Sequence, residues 1–194
     1  MEKYRLHLFI ILSLIYNQGY GQYRISRDSV KQLLNFGPYF TLYEDNYFTT
    51  GIPLNQPVTS KNSDVKFQIS FKHRLTSMVF PFDSYLFLTY TQRSFWNIYK
   101  LSKLFAETNY NPGIGLAKPI FRHNKLAVVI ALKLEHKSNG RDSIYSRSIN
   151  SVILEYMAGL SGYKRLKLRF WYPFSYHENS NLINYTGYGE AGFI

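Results

Sequence analysis

LAVVIALKLEHKSNGRDSIYSRSIN, Leu126 to Asn150, is the stretch on which the reading of this chain turns. Its first half has a period of two. Leu126, Val128, Ile130, Leu132 and Leu134 share one face of an extended segment, and Ala127, Val129, Ala131, Lys133 and Glu135 share the other. His136 and Ser138 continue the apolar face. Asn150 lies on the next segment, in register with Val152 and Leu154, again the apolar side. A soluble enzyme would not leave such a group exposed on the greasy face of a strand. The arrangement points to a hydrolase whose substrate is lipid.

The same alternation recurs along the chain. About eight segments carry it, separated by turn-rich gaps: Tyr39–Thr50, Asp64–Arg74, Ser84–Trp96, Thr108–Lys118, Leu126–His136, Ser146–Ala158, Tyr163–Pro173 and Leu182–Phe193. Val65, Phe67, Ile69 and Phe71 oppose Lys66, Gln68, Ser70 and Lys72, and Leu166, Leu168 and Phe170 oppose Arg165, Lys167 and Arg169. A soluble sandwich also alternates, with shorter strands around one buried face of Val and Ile. Segments of about ten residues favour a transmembrane barrel of antiparallel, up-and-down strands. Gaps alternate too: 51–63, 97–107, 137–145 and 174–181 are long and polar, whereas 119–125 and 160–162 are short. With a periplasmic N-terminus, odd strands run outward, and His136 falls at the outer rim.

Composition fits this architecture. Hydrophobic residues make up 45%, less than in helical membrane proteins, while aromatic residues reach 18%, as expected where strands cross membrane interfaces. The net charge of +11 suits either a solvated surface or contact with anionic lipid. Its basic residues are scattered rather than clustered, which argues against nucleic acid. No cysteine is present, so disulfides and zinc-thiolate sites are excluded. At the N-terminus, Lys3 and Arg5 precede the apolar run Leu8 to Tyr16, which is too short for a helical span, and Gly19-Tyr20-Gly21 offers small residues for cleavage. Residues 1–21 read as a signal peptide, 22–38 as a polar N-terminal segment and 39–194 as the barrel domain.

Serine needs a base within reach, and the base needs an orienting group. Side chains two apart on a strand start about 7 Å apart at Cα, close enough to meet. Asparagine can fix a histidine tautomer without burying a charge. Asn139 and Gly140 allow a tight turn whose backbone amides, with that of Ser138, can serve an oxyanion. The bare His-x-Ser pair is a weak motif. The shared parity of His136, Ser138 and Asn150 is what lifts it above His73 and His123.

The run His136 to Asn150, HKSNGRDSIYSRSIN, resembles the signature of bacterial outer-membrane phospholipase A. A second block, YTQRSFW (Tyr90–Trp96) followed by ETNYNP (Glu107–Pro112), is similar to another strong block of that family, and DVKFQISF (Asp64–Phe71) is a weaker match. The resemblance runs from about Phe40 to the C-terminus. It implies a calcium-dependent acylhydrolase of glycerophospholipids in the Gram-negative outer membrane, active as a homodimer. His136 would then be the base, Ser138 the nucleophile and Asn150 the orienting residue. Calcium (Ca2+) would be held by the backbone oxygens of Ser102 and Arg141 and the hydroxyl of Ser146. Gln92 matches a glutamine of the family's dimer interface, and its register with Leu86, Leu88 and Tyr90 turns it toward lipid.

The family barrel is twelve-stranded, so a C-terminally truncated, open and curved sheet with unpaired first and last strands is expected, against a closed eight-stranded barrel. Two other readings compete: a non-catalytic outer-membrane barrel (porin or adhesin) and a secreted lectin-like sandwich.

Overall fold

The computed structural model describes residues 25–59, 63–77, 80–101, 105–160, 164–175, 181 and 183–193. Residues 1–21, expected to be a signal peptide, lie outside the described residues, as does Ser102.

Among the described residues nine strands form one antiparallel sheet: β1 (Phe40–Leu42), β2 (Tyr47–Gly51), β3 (Asp64–Arg74), β4 (Tyr85–Trp96), β5 (Phe105–Arg122), β6 (Lys125–Ser138), β7 (Ser148–Gly159), β8 (Arg165–Ser175) and β9 (Gly189–Phe193). From β3 onward each strand pairs with the next in sequence, while β1 and β2 share the outer edge of β3. The order is therefore up-and-down. Among the described residues no ladder joins β9 to β1 or β2, so the sheet is open, as expected. No helix among them is long and apolar enough to cross a membrane.

Polarity is inverted relative to a soluble core. Leu88, Leu132, Leu134, Leu154 and Phe170 are exposed on the outer face. On the inner face Gln68, Ser70, Thr89, Thr91, Lys133 and Arg169 are buried. This is the alternation a barrel wall needs between hydrocarbon and a polar lumen. The Lys133 side chain is fully buried; its Nζ lies 2.7 Å from Glu135 Oε2 and 3.7 Å from Glu155 Oε1. Arg169 joins Glu155 at 3.2 Å and Glu44 at 2.8 Å. A polar cavity of about 530 Å³ lies beside this cluster, lined by Tyr43, Gln68, Arg93 and Glu135 among others. Gly113 and Gly115 leave room for the Lys133 and Phe87 side chains, since a Cβ on Gly113 would meet Lys133 Cδ at 3.1 Å and one on Gly115 would meet Phe87 Cζ at 2.8 Å.

Three of the expected segments differ in the structure. The first segment is not continuous but breaks at Tyr43–Asn46 into β1 and β2. There the Asn46 side chain takes over the rungs at Ser70, accepting from Ser70 N and donating to Ser70 O, so the backbone is free to leave the ladder. The released residues turn into the lumen. Tyr43 OH donates to Glu155 and accepts from Lys133 Nζ at 2.8 Å, and Glu44 meets Arg169. These contacts from one edge to the seventh and eighth strands show that the sheet is curved. Strand β5 runs through Pro112 and Pro119, leaving only His123-Asn124 as its turn to β6. Both turn residues have positive φ, 50° and 60°, the mirror-image turn that suits strand twist. The last expected segment is helical first, Ile183–Thr186 (α2), and extended only from Gly189. Gly187, at φ 63°, divides the two, and Trp171 Nε1 donates to its carbonyl at 2.8 Å.

Within the polar segment 22–38, residues Arg27–Phe36 form helix α1. Ser26 caps it, accepting from Ser29 N at 3.1 Å, and Asp28 sits in the first turn. Leu34 packs on the apolar cluster of Tyr85, Phe87, Ala117 and Ala131, and buried Arg74 donates to the Leu34 and Gly37 carbonyls at the helix end. The helix thereby covers the turn end of the lumen.

Candidate active site

Strands β6 and β7 pair so that His136 stands directly opposite Asn150 and Ser138 opposite Ser148. On the other side of β6, Ser138 stands opposite Tyr110 of β5. Their outward direction follows from the exposed Leu132 and Leu134 of the same strand. Parity and register thus bring His136, Ser138 and Asn150 to one patch on the lipid-facing wall. His136 Nδ1 and Asn150 Oδ1 are 2.8 Å apart. With the amide oxygen as acceptor, Nδ1 carries the proton and Nε2 keeps its lone pair. A register shift between β7 and β8 falls at Asn150/Ser151, a bulge of the kind that re-aims side chains beside active sites.

Ser138 ends β6. Its Oγ accepts from Gly140 N at 3.1 Å. Among the described residues no hydrogen bond joins Ser138 Oγ to His136. The Gly140 amide therefore lies beside the candidate nucleophile. Gly140 has φ 65°, and a Cβ there would come within 2.9 Å of Tyr110 Cε2, so both conformation and space select glycine.

The loop 139–147 that follows is tightly braced. Arg141 Nη2 donates to Ala106 O at 2.6 Å, tying the loop to β5. Arg147 Nη1 donates to Ile144 O at 3.1 Å and to Ser146 O at 2.8 Å. Asn139, assigned only a turn-forming role in the sequence reading, is buried and bonded to backbone at both ends of the loop. An asparagine just before a glycine signals a turn, but nothing in the sequence says which amides its side chain will choose.

For a cation, the loop offers the Arg141 carbonyl and the Ser146 hydroxyl. Neither has a hydrogen-bond partner among the described residues. Both are hard oxygen donors of the type calcium prefers, and two neutral oxygens from one chain are far short of its usual shell of six to eight. Among the described residues no group of three or more His, Cys, Asp or Glu is arranged to hold a metal. The donor set thus fits a calcium site finished by other oxygens, and not a carboxylate cage or a nitrogen-sulfur site.

Gln92 also faces outward, and its polar group is satisfied within the chain. Tyr90 OH donates to Gln92 Oε1 at 3.0 Å, and Gln92 Nε2 donates to Ser94 Oγ at 3.2 Å, which in turn meets Thr108 Oγ1 at 3.1 Å. This polar row removes much of the cost of a lone amide on a lipid-facing wall.

A family model described as Phospholipase A1 matches residues 20–194. A putative phospholipase A1 of Neisseria meningitidis is 30% identical over 143 residues, covering 68% of this chain and 37% of that protein. Phospholipase A1 of Salmonella typhimurium is 31% identical over 166 residues, covering 77% of this chain and 57% of that protein. The chain thus spans little more than half the length of these relatives at most. Among solved structures, the calcium-bound dimer of Salmonella typhi outer membrane phospholipase superposes with a TM-score of 0.67 at 26% identity, covering 87% of this chain and 72% of that one. Outer membrane phospholipase A from Escherichia coli gives the same TM-score at 25% identity, over 79% of this chain and 70% of that one.

Proposed function

The chain belongs to the phospholipase A1 family, and from that premise we propose that it hydrolyses acyl ester bonds of glycerophospholipids at the patch formed by His136, Ser138 and Asn150. It is an outer-membrane protein of the Gram-negative envelope. The single observation that carries the reading is the 2.8 Å pair of His136 Nδ1 and Asn150 Oδ1 on the outer face, with Ser138 two residues along the same face.

In this reading Asn150 holds the proton on His136 Nδ1, so Nε2 is the free base. Ser138 Oγ gives its proton to Nε2 as it attacks the ester carbonyl. The Gly140 amide, which points at Ser138 Oγ, stabilises the carbonyl oxygen as it becomes negative, whereas the Ser138 amide faces Tyr110 in the β5–β6 ladder. The histidinium then gives its proton to the departing alcohol oxygen, a lysophospholipid leaves, and the acyl group stays on Ser138. Water, deprotonated by His136, releases the fatty acid and restores the serine. Because the patch faces outward, phospholipid reaches it laterally from the surrounding leaflet.

The Arg141 carbonyl, Ser146 hydroxyl and Ser102 carbonyl would hold calcium, which when bound would supply positive charge to stabilise the developing oxyanion. One chain leaves that shell unfinished, so a homodimer that adds oxygens from a second copy is part of the proposal, with Gln92 in the interface. Residues 1–21 are proposed as the signal peptide and 39–194 as the phospholipase domain. The test is fatty-acid release by refolded protein from phospholipid vesicles, with calcium and with chelator. Release that needs calcium supports the reading; no release leaves the non-catalytic barrel.

A further inference from the structure

Asn139 follows Ser138 directly and is buried in a loop that is otherwise largely exposed. Its side chain spends three hydrogen bonds on backbone. Oδ1 accepts from Arg141 N at 3.3 Å and from Arg147 N at 3.0 Å, and Nδ2 donates to Tyr145 O at 2.9 Å. Its own amide donates to Arg147 O at 3.0 Å. One planar amide therefore spans residues two, six and eight positions ahead. Other residues do not reproduce this. Aspartate would set an oxygen against the Tyr145 carbonyl, and serine can reach the amide two residues on but not the far side of the loop.

The groups held by Asn139 adjoin both chemical elements of the site. The Gly140 amide is the peptide leaving Asn139 itself. The Arg141 amide sits on the residue whose carbonyl is a candidate cation donor, and Tyr145 O belongs to the peptide that leads into Ser146. Tyr110 closes the far side of Gly140. We propose that Asn139 is a positioning residue that sets, through one buried side chain, both the Gly140 amide against Ser138 Oγ and the spacing of the Arg141 and Ser146 oxygens. The inference rests on the hydrolase reading above and adds a coupling to it: disturbing one residue moves the oxyanion amide and the cation donors together.

The test uses the full chain with Asn139→Ala and Asn139→Ser. In chelator, backbone amide exchange at Arg141 and Arg147 reports the loop without metal or activity. Both amides should lose protection in Asn139→Ala, and Asn139→Ser should recover Arg141 alone. Calorimetric titration with calcium alone should show affinity weaker by about 10- to 100-fold in Asn139→Ala, and kcat should fall by a similar factor with KM little changed. Unchanged exchange at Arg147 overturns the proposal. So does activity that falls only in proportion to folded protein while the calcium titration stays at wild type. Should Asn139→Ala fail to fold, Asn139→Ser decides: a partial loss of calcium affinity supports the proposal, and wild-type affinity overturns it. If wild-type protein releases no fatty acid, the hydrolase reading fails on its own, and exchange at Arg147 still judges the role of Asn139.

Discussion

Asn150→Ala removes one hydrogen bond and leaves every reacting atom in place. The bond lost is the 2.8 Å contact that holds His136 Nδ1. Its worth changes along the reaction, because His136 is neutral before attack and cationic once it has taken the serine proton. A hydrogen bond to a charged group contributes about 1.5–3 kcal/mol. If all of that appears at the transition state, kcat falls by about 10- to 150-fold, since about 1.4 kcal/mol is a factor of ten. KM should barely move, because Asn150 belongs to the base and not to the lipid contact. Asn150→Asp keeps the acceptor and should recover much of the rate. The assay is fatty-acid release from mixed phospholipid–detergent micelles in saturating calcium, with folded protein matched by circular dichroism. The reasoning is refuted if Asn150→Ala is as fast as wild type, or if its loss equals that of removing the serine.

Ser138→Ala and His136→Ala should each reduce acyl release to the uncatalysed level while strand content is unchanged; full turnover in Ser138→Ala would sink the assignment. Ser146→Ala or Ser146→Asn should raise the calcium needed for half-maximal activity, and calcium affinity should rise with dimerisation; equal wild-type rates in excess chelator would end the metal reading. Lys133→Ala removes one of the two cations facing Glu135 and Glu155 in the lumen and leaves Arg169, 3.7 Å and 3.2 Å from them, so the loss should fall below the about 3–5 kcal/mol of a buried pair broken outright. Its denaturant midpoint in detergent should fall accordingly, and a midpoint equal to wild type would show that the lumen is wet enough to screen the loss.

Much of this was readable in advance because a strand has a period of two. Strand β3 begins and ends at the expected Asp64 and Arg74. The outward direction of His136 follows from Leu132 and Leu134 by counting, and its pairing with Asn150 follows once β6 and β7 are neighbours. What sequence pattern missed depends on partners far along the chain. The break at Tyr43–Asn46 exists because Asn46 replaces backbone rungs at Ser70 and because Lys133, Glu155 and Arg169 wait across the lumen. No window of local residues contains that information. The expected segment Thr108–Lys118 already held Pro112, and tertiary pairing with β4 and β6 extends β5 to Phe105 at one end and through Pro119 to Arg122 at the other. The capped helix α1 had legible signals, Ser26 and Asp28, which the polar composition of residues 22–38 masked.

The inward turn at Tyr43–Asn46 bears on the order of assembly. Each strand from β3 to β8 pairs with its chain neighbour, so these hairpins close short loops and can form early. Glu44 meets Arg169 across 125 residues of chain. Closing so long a loop carries a large entropic cost that local pairing does not. It becomes affordable only after β6, β7 and β8 have gathered Lys133, Glu155 and Arg169 into one acceptor. The inward turn is thus a late event, and until it docks those charges lie open along a trough with nothing across it. A folding intermediate of this chain would carry a finished outer face and an unsealed polar interior, with Tyr43 still in water as its spectroscopic marker.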